Sequence, residues 1–459
     1  MKVLLVKPCS DFPTRIPPLG LGYLATALRR AGHTPGIVDC PREGLDPAGL
    51  LARVREFEPG LLGFSAFSAD MPALRELCRA VRQAHPGLPL VLGGPHPSCL
   101  PEHCLAFIPE LDYVIGGEAE AGLPALVDGL AAGGVEPAAV PGLAWREDGG
   151  VRRTPARWEE DLDRLGLPDW ELLRLDLQEV APHGAFVRRR PVAPILTTRG
   201  CPFPCTFCAA RTLSGCALRS RSLGHVMEEV DLLAGKYGIR ELHIEDDNFT
   251  FHKDYAAGFC EELLRRGHRL SWCCPNGVRI DTLDRDLLGL MKRAGCYSLS
   301  LGLESGSDRI LKLVRKGLTR DKIRERVARI REAGIKTTGF FIIGFPGETE
   351  EEIRETVRFA RGLPLDRAQF STFLPLPGTP FFEDYLRQKP LEEIPWGKFF
   401  TTEVLAVPGA LPPARMEALQ RRAFLSFYLR PRILLGLAGE VRSPRHLLHL
   451  LRRAEAVLR

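Results

Sequence analysis

At 459 residues the chain exceeds one ordinary core, so two or three domains are expected, and 62 basic against 57 acidic side chains leave a net charge of only +5. That near-neutrality gives no sign of a nucleic-acid surface, and 45% apolar with 26% charged residues is the balance of a globular protein. No uninterrupted apolar run is long enough to span a bilayer; the one near Phe424–Leu437 is cut by Arg430-Pro431-Arg432.

The chain opens with Met1-Lys-Val-Leu-Leu-Val-Lys7, a short buried-strand pattern closed by Pro8 rather than a signal peptide. Further apolar runs at Ile37–Val38, Leu61–Phe64, Leu90–Leu92 and Tyr113–Ile115 alternate with helical periods. One such period is Met71–Ala84, with Leu74, Leu77, Cys78 and Val81 on one face. This alternation predicts an α/β domain over 1–150, a doubly wound Rossmann-like parallel sheet with its ligand crevice beyond the strands' C-terminal ends. The loops at those ends are rich in glycine and serine: Pro17-Pro18-Leu19-Gly20-Leu21-Gly22, Gly63-Phe64-Ser65-Ala66-Phe67-Ser68, Gly93-Gly94-Pro95-His96-Pro97 and Gly116-Gly117-Glu118. Glycine there lets a large ligand approach the backbone.

Residues 151–190 read as a polar linker ending on Pro168-Asp169-Trp170. A second alternation fills 191–385, with strands expected at Ile195–Thr197, Glu241–Ile244, Ser271–Cys274, Ser298–Leu301, Thr338–Ile343 and Gln369–Phe373. Val226, Val230, Leu233 and Tyr237 mark one intervening helix, and Thr349 with Glu352 forms a capping box opening another that ends at Gly362. Six such units predict a partial (β/α)6 barrel resembling a TIM barrel, with its chemistry at the strands' C-terminal ends. Residues 386–459 are expected to form a C-terminal helical region. From 413 onward this tail holds ten Arg and three Glu, a solvated face in the first instance, which leaves peripheral membrane contact open.

The most informative stretch is Thr197-Thr198-Arg199-Gly200-Cys201-Pro-Phe-Pro-Cys205-Thr-Phe207-Cys208, directly after the first strand of the second alternation. Three thiols broken by two prolines cannot share a regular helix and converge from a tight loop. Converging thiolates hold zinc or an iron–sulfur cluster. Structural zinc prefers four closed ligands, usually as two pairs, and no fourth partner stands nearby. A cluster on three cysteines leaves one iron open. The other cysteines are scattered, several inside apolar segments, which argues for a reducing cytoplasmic compartment rather than a disulfide framework.

The Cys-x3-Cys-x2-Cys spacing resembles the signature of the radical SAM superfamily. The resemblance implies a [4Fe-4S] cluster on Cys201, Cys205 and Cys208, with S-adenosylmethionine (SAM) chelated at the open iron. It also implies SAM contacts at Phe207, Asp246 and Asp247 in the acidic run Glu245–Phe249, Asn276, Glu304 and Ser305 after the fourth strand, and Gly339 and Gly344 in the fifth-strand segment. The N-terminal loops, taken in order, resemble the cobalamin-binding domain fused to many radical SAM enzymes. That places Leu19, Gly20, Ser65, Ser68, Gly93, Gly94, His96, Gly117 and Glu118 around cobalamin (as methylcobalamin). The Asp-x-His-x-x-Gly motif that brings a histidine to cobalt in many such domains does not occur.

The implied activity is that of a class B radical SAM methyltransferase: a 5′-deoxyadenosyl radical activates an unactivated carbon of a small-molecule substrate, which then receives a methyl group. An external electron donor such as flavodoxin or ferredoxin and a monomeric state go with this reading. A ring-forming or rearranging enzyme with the same cofactors is the alternative, and a non-catalytic cobalamin or redox sensor a further one. A methylthiotransferase would need a second cysteine triplet, and Cys9, Cys40, Cys78, Cys99 and Cys104 are not clustered.

Overall fold

A computed structural model describes residues 1–9, 16–177, 187–400, 403–441, 444, 447, 448, 450 and 451. The first sheet contains β1 (Lys2–Lys7), β2 (Thr34–Asp39), β3 (Leu61–Ser65), β4 (Leu90–Gly93), β5 (Tyr113–Ile115), β6 (Leu143–Glu147) and β7 (Gly150–Arg153), in the order β2-β1-β3-β4-β5-β6-β7. The first five are parallel, as the alternation requires. Side chains alternate along β1. Val3 and Leu5 enter one core with Leu21, Leu28 and Leu123, while Leu4 and Val6 enter another with Leu50, Leu74 and Val81.

The antiparallel pair β6–β7 was not among the expected strands. Its signal was present: Asp148-Gly149 joins the two runs, and both residues take the positive φ that a tight hairpin turn requires. The sheet therefore runs three residues into the stretch read as a linker. The remainder of that stretch is less polar in space than in composition. Leu162, Trp170, Leu173 and Leu175 are buried, and Arg42 donates to the carbonyls of Leu173, Arg174 and Leu177. Gly22 is where this segment crosses the first helix: a Cβ there would sit 2.6 Å from Leu173 Cδ1 and 2.9 Å from Pro168 Cβ.

The second sheet has six strands in the order β15-β14-β13-β12-β11-β8 and is parallel throughout. Its strands are β8 (Val192–Ile195), β11 (Glu241–Ile244), β12 (Ser271–Val278), β13 (Cys296–Glu304), β14 (Lys336–Ile343) and β15 (Arg367–Thr372). A short antiparallel pair, β9 (Thr198–Arg199) and β10 (Arg219–Ser220), brackets the cysteine loop. The capping box forms as expected: Thr349 Oγ1 accepts from the Glu352 amide at 3.3 Å, and the Glu352 carboxylate accepts from the Thr349 amide at 3.0 Å. Two helices, Pro413–Tyr428 and Pro431–Ala438, follow in the C-terminal region, and the former packs along β15. Among the described residues no helix is long and apolar enough to cross a membrane.

A buried carboxylate ties the linker segment to the helix Leu223–Gly235. Glu229, fully buried on Leu223–Gly235, pairs with Arg221 and accepts from Trp170 Nε1 at 3.0 Å. Removing Glu229 would leave the Arg221 guanidinium buried and uncompensated, which costs about 3–5 kcal/mol. Glu229→Ala should lower the midpoint of urea unfolding by a corresponding amount; an unchanged midpoint would show that water reaches Arg221.

Candidate active site

The cysteine loop hangs from two fixed points. Gly200 turns the chain with φ +96°, and a Cβ there would lie 2.2 Å from the Ala217 carbonyl oxygen, so only glycine fits. Beyond it, the Cys201 amide donates to Gly215 O at 3.2 Å and the Thr206 amide to Val314 O at 3.2 Å. Arg279 lies over the Phe203 ring at 3.6 Å, pairs with Asp281 and donates to Lys316 O at 2.8 Å. Lys316 in turn pairs with Glu304 at 2.7 Å. Arg279, Asp281 and Lys316 thus carry the loop from behind through salt bridges, one of the two uses that charged residues at these positions allow.

Three-ligand groups with all donor atoms within 4.8 Å of one another occur elsewhere among the described residues, but the cysteine triplet is not one of them. Three thiolates on one tetrahedral zinc, with Zn–S near 2.3 Å, would stand about 3.8 Å apart. Burial, together with Cys205, Asp247 and Cys201, pushes the Cys208 thiol up to about 11, and burial likewise raises Cys201. Both shifts disfavour the thiolate that a metal needs, so a cationic centre would have to compensate Cys201 and Cys208.

The acidic run splits. Asp246 is buried and accepts from the Thr197 amide at 2.6 Å, Thr197 Oγ1 at 2.5 Å and Thr198 Oγ1 at 2.8 Å. Burial raises its carboxyl to about 6 against those hydrogen bonds. It pins the backbone just ahead of the cysteines and does not line the cleft. Asp247 does reach it, taking hydrogen bonds from Ser214 and the Gly200 amide.

Asp247 and Glu245 form one wall of a cleft of about 300 Å³ together with Thr198, Arg199 and Ser214. The opposite wall comes from the N-terminal loops, through Leu19, Gly20, Ser65, Gly93, Gly94, Gly117 and Glu118. A Cβ on Gly20 would meet nothing within 4 Å, so the floor there is open to a flat ligand. Ser68 and His96 are placed off this wall. His96 is buried, its Nδ1 2.9 Å from Ser68 Oγ and its Nε2 3.1 Å from His103 Nδ1, edge-on to Trp396. Burial lowers the His96 pKa to about 3. No histidine lines the cleft among the described residues.

The remaining expected SAM positions do not line the cleft among the described residues. Phe207 packs on Phe345, with ring centroids 5.9 Å apart, and Asn276 donates to Glu245 O at 2.8 Å from a bulge in β12. Glu304, at φ +61°, holds Lys316, and Ser305 bonds Thr356 Oγ1 at 3.1 Å. Gly339 is confined by Leu365 and Phe341, and Gly344, at φ +87°, by Met416 of the C-terminal helix. The residues the sequence did not disclose are Arg199 and Arg219. Arg199 pairs with Glu120 at 2.7 Å and Glu118 at 3.3 Å, Arg219 pairs with Glu118 at 2.7 Å, and the Arg199 guanidinium lies 5.0 Å from the centre of the Tyr23 ring. The only sequence signal was an arginine two residues before the first cysteine.

Glu348 fixes the turn after β14, accepting from the Gly344 amide at 2.6 Å and the Phe345 amide at 3.1 Å, while its Oε1 is buried without a partner. Burial pushes its carboxyl up to about 8. With the folded value above the ordinary 4.5, the native state favours the neutral form, so this group's contribution to stability is lost as pH rises from about 4.5 to about 8. Glu348→Gln should flatten the pH dependence of the unfolding midpoint over that window, removing a slope of up to about 1.4 kcal/mol per pH unit. An identical slope in both proteins would show that the carboxylate is solvated.

Residues 195–360 match the Radical SAM superfamily, and residues 8–127 match the B12 binding domain. The chain is 33% identical over 442 residues to an uncharacterized methyltransferase of Pyrococcus horikoshii, covering 95% of this chain and 94% of that protein. It is 28% identical to an anaerobic magnesium-protoporphyrin IX monomethyl ester cyclase of Cereibacter sphaeroides, covering 90% of this chain and 67% of that one. The solved structure of the radical SAM methyltransferase TsrM from Kitasatospora setae, with cobalamin and [4Fe-4S] cluster bound, superposes with TM-score 0.69 at 24% identity, covering 84% of this chain and 78% of that one. The cysteine loop and the glycine-lined cleft fall within the two matched segments. The chain belongs to the radical SAM superfamily, in the group with an N-terminal B12-binding domain, and is a cobalamin-dependent radical SAM enzyme whose cofactors are a [4Fe-4S] cluster, SAM and cobalamin.

Proposed function

We propose that this enzyme transfers a methyl group to an unactivated carbon of a small-molecule substrate. The observation that carries the reading is the cleft itself, with the Asp247 side of the cysteine loop on one wall and the glycine loops of the N-terminal sheet on the other. When bound, the cluster with SAM supplies a radical and cobalamin a transferable methyl group. The protein's part is to hold these groups at a fixed separation and keep water out. Cys201, Cys205 and Cys208 would hold the cluster. Asp247, a carboxyl exposed on the cleft wall, suits the ammonium of SAM. Glu304, Ser305, Gly339 and Gly344 would shape the SAM site from the barrel strands, and Phe207 would cover it beside the cluster. Gly20, Gly93 and Gly94 would let the corrin lie against backbone. Electrons would come from an external donor such as flavodoxin or ferredoxin.

A non-methylating ring closure is the second reading, favoured by the similarity to the Cereibacter cyclase. Reaction with SAM labelled in its methyl group separates the two. Label in the product is expected, and turnover with no label transferred would overturn methyl transfer. Cys201→Ala should lose the iron–sulfur absorbance and reduce 5′-deoxyadenosine release to background; release at the native rate would overturn the cluster assignment. Asp247→Asn should raise the KM for SAM while iron content stays unchanged, and an unaltered KM would remove Asp247 from the SAM site.

A further inference from the structure

Six of the nine exposed large apolar side chains among the described residues lie near the C-terminus: Leu429, Leu434, Leu435, Leu447, Leu448 and Leu451. The helix Pro431–Ala438 buries Ile433 and packs Leu437 against the core. Leu434 and Leu435 face the other way, Leu435 with 74% of its surface in water. A helix that is apolar all round belongs in an interior or against hydrocarbon, not at a water-facing surface.

The charges beside this face are equally unbalanced. Arg430 is flanked by Arg361 and Arg432. Its Nε donates to Phe427 O at 2.9 Å and its Nη1 to Arg361 O at 2.5 Å, but Nη2 is buried with no partner. Arg432 donates to Leu365 O at 3.0 Å. The acid in this region, Glu440, is already taken by Lys336 and Arg367. Burial, and then the two neighbouring guanidiniums, hold Arg430 below the ordinary arginine range.

Three crowded guanidiniums call for anionic oxygen, and the adjoining leucines call for hydrocarbon. A membrane surface offers both at the right depths, phosphate outside and acyl chain beneath. A second copy of the chain fits less well. A twofold contact through this patch would set one arginine cluster against its like. We propose that this end of the molecule docks on an anionic membrane surface, with Leu429, Leu434 and Leu435 entering the acyl boundary and the exposed Arg361 and Arg432 meeting lipid phosphates, while Arg430 stays tied to the backbone beneath them.

The test is flotation of the whole protein with vesicles of phosphatidylcholine alone, or with phosphatidylglycerol added, at low and high salt. Binding is expected only to the phosphatidylglycerol vesicles and should weaken as salt screens the arginines. Leu434→Gln combined with Leu435→Gln should weaken vesicle binding about tenfold or more, since each tenfold step corresponds to about 1.4 kcal/mol. Both side chains are exposed, so iron content and the unfolding midpoint should not change. Absence of binding to phosphatidylglycerol vesicles at low salt would overturn the proposal, as would binding that ignores the double substitution. So would light scattering that shows a dimer dissociated by the same substitution in a protein that does not float.

Discussion

The architecture of the site depends on one buried carboxylate. Asp246 lies buried two residues beyond β11, where three donors from Thr197 and Thr198 converge on it. An ionised carboxylate in such surroundings is costly unless its oxygens are satisfied, and here they are. The two threonines are thereby locked to the neighbouring strand just before Arg199, Gly200 and Cys201. Everything beyond inherits that register: the Gly200 turn, the thiols, and the Arg279–Asp281 and Lys316–Glu304 pairs that support the loop from below. Asp247 can then face the cleft because its neighbour faces the core.

Most of the architecture was legible from periodicity. The parallel strands lay where apolar runs alternated with helical patterns, and the Thr349–Glu352 box opened its helix as the pattern required. The β6–β7 hairpin carried a legible Asp-Gly turn between short runs of mixed polarity, and that polarity concealed it. Glycines were harder to interpret. Gly20 and Gly22 look equivalent in the chain, yet Gly20 opens on the cleft while Gly22 accommodates Leu173 and Pro168. Only contacts formed after folding distinguish a glycine that admits a ligand from one that admits a neighbouring segment.

The site itself was half legible. A thiol triplet advertises its chemistry because few other uses explain three cysteines in eight residues. Charged residues do not, because the same types serve as ligand contacts, struts and seams. Asp246 and Asp247 are adjacent and alike, and only the folded contacts separate their roles, one held by Thr197 and Thr198 and the other lining the cleft. His96 sits in a loop that otherwise lines the cleft, but its ring turns into the core against Ser68, His103 and Trp396. Arg199 and Arg219 were invisible as site residues, since their partners lie about eighty to one hundred positions away.

Those two arginines have a mechanical consequence. Arg199 is attached to Cys201 through a single glycine, and its guanidinium is held, nearly out of water, by Glu118 and Glu120 of the opposite wall. Prising the two walls apart would strip desolvated charges of their partners, a cost that grows as water is excluded. The gap between the halves is therefore a set distance rather than a hinge. Anything that must come and go during turnover has to pass along the open edges of the cleft, and the timing of entry belongs to its loops, not to a separation of the domains.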